Sequence, residues 1–245
     1  MRNIFSYFWK KPQRFYWLTF GVILVDQVIK MAVKLTLGAE FHESGCMDSK
    51  EIAVLGSSFK ITFAENPGAA FSMTFGDFIP WLGHSGGKIV LSVFSFLAIF
   101  VIVYFLHRVK NFKNILPWAV ALILGGALGN IFDRVFYGLI FCDTNCSFGG
   151  PGDPDYYPCT LLFGRVVDMF YLDIGDFDIW NWVPFFGGNR YHLWPIFNIA
   201  DSAISTGIAV ILLFQRRLFG GGKLEETFAK PKAETEIVES PEIET

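Results

Sequence analysis

A chain of 245 residues that is 52% hydrophobic and 18% aromatic but only 18% charged, with a mean hydropathy of +0.41, has the composition of a membrane protein, not of a water-soluble domain. Its formal charge of −3 is concentrated at the end, where Leu224 to Thr245 carries seven Glu against Lys230 and Lys232, so the remainder is slightly positive. No stretch offers the basic surface that nucleic acid requires, which excludes that class of partner.

Residues 1–14 hold Arg2, Lys10, Lys11 and Arg14 and read as a cytoplasmic N-terminus. Four apolar stretches follow that are long enough to cross a core needing about 20 helical residues. The first, Phe15 to Leu37, carries Asp26, Lys30 and Lys34 and lacks a small-residue cleavage site, so it is an uncleaved span and not a targeting signal. Asp26 and Lys30 lie four apart on one helix face, in the order that suits the helix dipole. An ion pair that fixes helix packing and a direct part in substrate binding are both open to them. Gly38 to Lys88 is too polar for a span. Within it, Glu51 to Phe63 is predicted to form a strand pair turning at Gly56-Ser57, and Glu65-Asn66-Pro67-Gly68-Ala69-Ala70-Phe71-Ser72 reads as a turn opening a short helix.

The second and third spans, Ile89 to Leu106 and Ile115 to Phe136, are joined by a short turn with Arg108, Lys110 and Lys113. Gly125 and Gly129 in the third span lack side chains at helical spacing and permit close approach of another helix. One turn later, Asn130 and Asp133 share a face, with Arg134 beside Asp133 as a charge partner. The second polar loop, Gly138 to Leu193, contains Asp168. Its segment Phe177 to Trp194 is dense in Trp, Phe and Tyr, as in an interfacial aromatic belt or a packed loop core. The fourth span, Trp194 to Phe214, contains Asn198 and Asp201 and is followed by Arg216, Arg217 and Lys223. Residues 220–245 form an acidic tail too poor in apolar residues to bury a core, and disorder is expected there.

Basic residues flank the spans before the first, between the second and third, and after the fourth, so both termini are cytoplasmic and the two long loops are external. Cys46, Cys142, Cys146 and Cys159 all lie in those loops, where one or two disulfides form if the compartment is oxidising. Their spacing and the lack of a nearby His argue against zinc. Asp168 and Asp201 are the costliest residues to place at or in a membrane, which marks them as functional candidates and as an acid/base pair. Polar groups in hydrocarbon need partners, so the faces bearing Asn130, Asp133, Asn198 and Asp201 are expected to meet near the outer end of a bundle. Helix glue without chemistry is the alternative.

Asp26-Gln27-Val28-Ile29-Lys30, Asn66-Pro67-Gly68-Ala69-Ala70-Phe71, Gly125 to Arg134, Val166-Val167-Asp168-Met169-Phe170 and Phe197-Asn198-Ile199-Ala200-Asp201-Ser202-Ala203-Ile204 occur in the order, and at the membrane positions, found in lipoprotein signal peptidases. The chain resembles that family, signal peptidase II, over about residues 15–215. The resemblance implies an α-helical integral membrane protein of the bacterial inner membrane, with four transmembrane helices and a small extracytoplasmic β-sheet cradle. It implies an aspartyl endopeptidase, inhibited by globomycin, that cleaves prolipoproteins before a diacylglyceryl-modified cysteine. On it, Asp168 and Asp201 are the catalytic dyad, and Asn66, Gly68, Asn130, Asp133, Arg134 and Asn198 support it, with Asp26 and Lys30 as the first-span motif. It calls for no metal or organic cofactor; the expected partners are the substrate and membrane lipid, and the expected state is a monomer. Two departures are an insertion over Gly138 to Arg165, expected to bulge outward without moving the dyad, and Met169 in place of the usual Phe. A proton- or cation-coupled transporter using Asp26, Asp133 and Asp201 as a relay is the rival reading, weakened by the lack of an internal repeat.

Overall fold

The computed structural model describes residues 13–37, 41–42, 45–46, 51–66, 83–112, 114–141, 160–173, 175–178, 190–193 and 195–219. Four long helices carry the chain: α1 (Gln13–Leu37), α2 (Gly83–Val109), α3 (Leu116–Phe132) and α4 (Ile199–Phe219). α3 continues through a π-helical segment, Asp133–Tyr137, and a last α-helical turn, Gly138–Ile140. Three stretches, Gly86–Val109, Leu116–Ile140 and Ile199–Arg217, are long and apolar enough to cross a membrane.

The faces of the helices are sorted for a lipid surrounding. On α1 the inward side holds Phe15, Thr19, Asp26, Lys30, Val33, Lys34 and Leu37, all buried, at the spacing of one helix face. Trp17, Phe20, Leu24, Val28 and Leu35 point outward and are each more than half exposed. Charge faces in and apolar side chains face out, the reverse of a helix on a water-soluble protein. α2 likewise turns Phe94, Leu97, Phe100 and Val101 outward. Its hydroxyls are satisfied internally, Ser92 donating to the Lys88 carbonyl (3.0 Å) and Ser95 to the Leu91 carbonyl (2.9 Å).

α3 is the centre, with α1, α2 and α4 packed on it. Pro117 sits at its start, where a missing N–H costs nothing. Small residues then let the neighbours close in: a Cβ added at Gly126 would lie 2.2 Å from the Ala200 carbonyl oxygen of α4, and one at Gly129 would lie 2.8 Å from Oδ2 of Asp26 on α1. Gly125, the expected partner of Gly129 in this packing, is equally close, since a Cβ added there would lie 2.8 Å from Val22 Cβ on α1. At one end of the bundle, Phe15, Leu106, Val109, Leu116, Val120 and Leu124 form an apolar core, with the Arg14 guanidinium 4.8 Å from the Phe15 ring and 5.2 Å from the Trp118 ring.

The other end carries β-structure. Two short strands, β1 (Phe41–His42) and β2 (Gly45–Cys46), pair with each other. The main sheet has four antiparallel strands in the order β3-β4-β5-β8: β3 (Ile52–Leu55), β4 (Phe59–Asn66), β5 (Val166–Leu172) and β8 (Ile196–Phe197). β6 (Gly175–Asp178) and β7 (Arg190–Leu193) form a separate antiparallel pair. The predicted β3–β4 hairpin is present, its turn opened by Gly56 at φ +57°, a conformation that suits glycine. The sheet closes over the helix ends through Val33, Leu37, Tyr137, Phe141, Val167 and Met169.

Two helix starts differ from the sequence expectation by more than two residues. α2 begins at Gly83, ahead of Ile89. α4 begins at Ile199, not Trp194, because Ile196 and Phe197 lie in β8 and Asn198 caps the helix, so the apolar residues there serve the sheet. Gly68, the cysteines at 142, 146 and 159, most of the insertion, residues 179–189 of the aromatic segment and the tail 220–245 fall outside the described residues.

Candidate active site

β5 delivers Asp168. Val167 and Met169 enter the apolar core beneath the sheet, so strand alternation turns Asp168 to the opposite face, where it is 4% exposed. α4 delivers Asp201 in its first turn through a reciprocal cap. Asn198 Oδ1 accepts the Asp201 N–H (2.9 Å), and Asp201 Oδ2 accepts the Asn198 N–H (3.3 Å).

Asn198 also joins the two carboxylates: while its backbone N–H reaches Asp201, its side-chain amide donates to Asp168 Oδ1 at 2.6 Å. Asn66, from the end of β4, donates to the other oxygen of Asp168 (3.3 Å), and Asn130, from α3, donates to Asp201 Oδ1 (2.8 Å). Asn130 in turn accepts from Asn198 (3.2 Å). Three asparagines from three separate segments therefore hold two aspartates.

Behind them lies a cluster of buried charges. Lys30 Nζ is 2.8 Å from both Asp26 Oδ2 and Asp133 Oδ2, with all three side chains fully buried. It also donates to Asn130 Oδ1 (3.0 Å). Asp26 accepts the Ala200 N–H (2.9 Å), next to Asp201, and Asp133 accepts the Val167 N–H (3.3 Å), next to Asp168. The cluster thus grips the backbone immediately before each of the two aspartates. Gln27 completes it, donating to Asp133 Oδ1 (2.8 Å) and accepting from the Tyr137 hydroxyl (3.0 Å).

Burial, then the negative charge of Asp201, pushes the Asp168 carboxyl up to about 7, against the hydrogen bonds from Asn66 and Asn198 that favour its ionised form. Asp201 sits at a helix N-terminus, where a carboxylate is stabilised by backbone donors. A carboxyl raised in this way, linked through Asn198 to a second one, can hold a proton near neutral pH, one requirement of general acid–base chemistry.

A family model described as signal peptidase (SPase) II matches residues 18–217. The chain belongs to the signal peptidase II family. It is 31% identical over 239 residues to the lipoprotein signal peptidase of Amoebophilus asiaticus, covering 96% of this chain and 89% of that protein. The lipoprotein signal peptidase of Porphyromonas gingivalis is 34% identical over 204 residues, 78% of either chain. A solved bacterial membrane enzyme shares the fold with a TM-score of 0.50 at 21% identity, over 89% of this chain and 94% of its own.

A signal peptidase II is a protease, and the residues singled out on the strength of the resemblance mostly converge. Asp26, Lys30, Asn66, Asn130, Asp133, Asp168, Asn198 and Asp201 form one connected network. Arg134, in the π-helical segment, lies within electrostatic reach of Asp133, Asp168 and Asp201. Asp133 also forms an ion pair with Lys30, which reaches it from α1. Gly68 is outside the described residues. Gln27 and Tyr137 were missed. Gln27 lies inside the Asp26-to-Lys30 motif block, and that placement was the only signal available.

Proposed function

We propose that the chain is an aspartic endopeptidase that removes signal peptides from diacylglyceryl-modified prolipoproteins, with Asp168 and Asp201 as its catalytic dyad. α1 is a fourth span beside α2, α3 and α4, both termini are cytoplasmic, and the sheet and dyad lie towards the outer face of the bacterial inner membrane. The observation that carries the mechanism is Asn198, which donates to both carboxylates at once.

In the resting state the pair shares one proton. Buried Asp168 holds it, and Asp201, which accepts from the Asn130 amide and the Asn198 N–H, serves as the base. Asp201 takes a proton from a water, whose oxygen attacks the scissile carbonyl while Asp168 donates to the carbonyl oxygen. As the tetrahedral intermediate collapses, the C–N bond breaks, the leaving amine takes the proton held by Asp201, and the oxygen returns its proton to Asp168. The products are a signal peptide with a free carboxyl and a lipid-bearing cysteine with a free amine, reached with no metal or redox cofactor. Each buried methylene of the substrate's lipid adds about 0.8 kcal/mol of membrane affinity, which holds the scissile bond at the interface.

The carboxylates gather at one end of the bundle instead of at successive depths, which does not suit an ion relay. The test is a gel-shift cleavage assay in lipid with a diacylglyceryl-modified prolipoprotein. The parent releases the signal peptide, while folded Asp168→Asn and Asp201→Asn variants lose at least about a thousandfold in rate. Cleavage by either variant near the parental rate would remove the dyad assignment.

A further inference from the structure

The strand that brings Asn66 to Asp168 is held by an ionic contact apart from the cluster described above. Glu65, the residue before Asn66 in β4, forms an ion pair with Lys34 from the last turn of α1. Its second oxygen lies 3.9 Å from the Arg165 guanidinium, just ahead of β5. The three side chains are 9%, 3% and 12% exposed respectively. The Lys34 ammonium is further enclosed by the rings of Phe63 (5.1 Å) and Phe141 (4.9 Å).

Charges so deeply enclosed cost desolvation and are weak evidence for stability, so a gain in specified geometry is the better account of them. The geometry at stake is visible in the register. Glu65 pairs with Val167 and Asn66 with Val166, immediately before Asp168, but the ladder is irregular between Ile61 and Ala64. The end of β4 is therefore not locked to the rest of the strand by an unbroken series of backbone bonds. Alternation also places Glu65 and Asn66 on opposite faces: one side of the strand is clamped, and the other presents the amide to Asp168.

We propose that Glu65, held between Lys34 and Arg165, is a positioning residue that keeps the Asn66 amide within hydrogen-bonding distance of Asp168. The proposal rests on the assignment of Asp168 and Asp201 as the dyad. It works through the Asn66 bond; the other groups facing Asp168 are Asp201 and Asn198 at the head of α4, Lys30 from α1 and Arg134 from the π-helical segment, and Glu65 itself is faced by Lys34, Arg165 and the buried Lys88 of α2. The Asn66 bond favours ionised Asp168, so loosening it moves the titration of the pair to higher pH.

The experiment measures kcat, KM and the pH profile of full-length protein in lipid on a diacylglyceryl-modified prolipoprotein. Glu65→Gln lowers kcat about 10- to 100-fold with KM unchanged and shifts the profile to higher pH, since small misplacements of a catalytic array cost on that order. Glu65→Asp restores part of the loss, and Lys34→Met with Glu65→Gln is no worse than Glu65→Gln alone. In an Asn66→Ala background, Glu65→Gln adds no further shift. Glu51→Gln, which breaks the exposed Lys60–Glu51 pair (2.8 Å) on the same sheet, leaves every parameter at the parental value. Should Glu65→Gln fail to fold, Lys34→Met with Glu65→Leu removes both buried charges together and is read in its place. The inference is overturned if folded Glu65→Gln keeps the parental kcat and profile, or if it lowers activity by the same factor with and without Asn66. Asp168→Asn, run alongside, separates the two claims: if it cleaves, the dyad fails; if it is inactive while Glu65→Gln behaves as the parent, only the role of Glu65 fails.

Discussion

Asp168 combines a functional advantage with a stability cost. Its pKa in the folded chain, about 7, lies above the 3.8 of an unperturbed aspartate, so the folded state holds a proton that the unfolded state releases between those values. Folding is therefore favoured by lower pH across that window: stability falls as pH rises from about 4 to about 7 and is flat above it, where both states are ionised. Activity has a matching alkaline limb. On the proposed mechanism Asp168 is the acid, so its loss of a proton above about pH 7 makes kcat/KM decline with an apparent pKa near 7. Asp168→Asn separates the two effects. It abolishes cleavage, yet because it removes a charge that is costly to bury, it melts a few degrees higher than the parent at pH 8, and the difference narrows towards pH 4. Melting curves of both proteins at pH 4, 6 and 8 decide this; a variant less stable than the parent at pH 8 would mean that the carboxylate is better compensated than its burial suggests.

Between elements, the decisive contact is backbone against backbone. α4 approaches α3 so closely at Gly126 that an added methyl group would meet the Ala200 carbonyl, one residue before Asp201. Gly126→Ala must push the head of α4 away from Asn130, at about 1–3 kcal/mol for overpacking. Activity is expected to fall more steeply than stability, measured as kcat against the melting midpoint, because the displaced carbonyl neighbours Asp201 of the proposed dyad. Such short-range features were legible before the fold was known: the glycine pair, the i to i+4 pairing of Asp26 with Lys30, and the β3–β4 hairpin all follow from spacing alone. What spacing could not disclose depends on distant chain. The second partner of Lys30, Asp133, comes from another helix. The π-helical segment is matched by a loop far downstream, with Leu162 N–H donating to the Val135 carbonyl and Gly164 N–H to the Arg134 carbonyl, each at 3.0 Å. Glu65 gave no sign at all, since a lone Glu in a strand is ordinarily a solvated residue.

At the scale of the molecule, the inverted sorting of α1 decides how the protein sits in a bilayer. Its 25 residues extend about 37 Å, longer than the roughly 30 Å hydrocarbon core. Asp26, Lys30 and Lys34 would forbid insertion if they faced lipid, but all three are buried against the rest of the chain. The bundle shields these charges, and a hydropathy average over the sequence cannot register that shielding. With α2, α3 and α4 crossing, the side of Gln13 depends on α1 alone: four crossings place it on the same side as Arg217, and three place it opposite. Cysteines introduced at Gln13 and at Arg217, in full-length protein, report this by reaction with a membrane-impermeant maleimide above the background of the parent. If α1 spans, both sites label only after the inner membrane is permeabilised, while a cysteine at exposed Thr160 labels in spheroplasts. Labelling of the Gln13 site in spheroplasts with Arg217 protected would leave three spans, and Lys30 would then reach the dyad's support from outside the membrane. The outcome therefore bears on the chemistry as well as the topology. A buried Asp26–Lys30–Asp133 cluster holds its geometry most firmly in surroundings where an unpaired charge has no water to turn to.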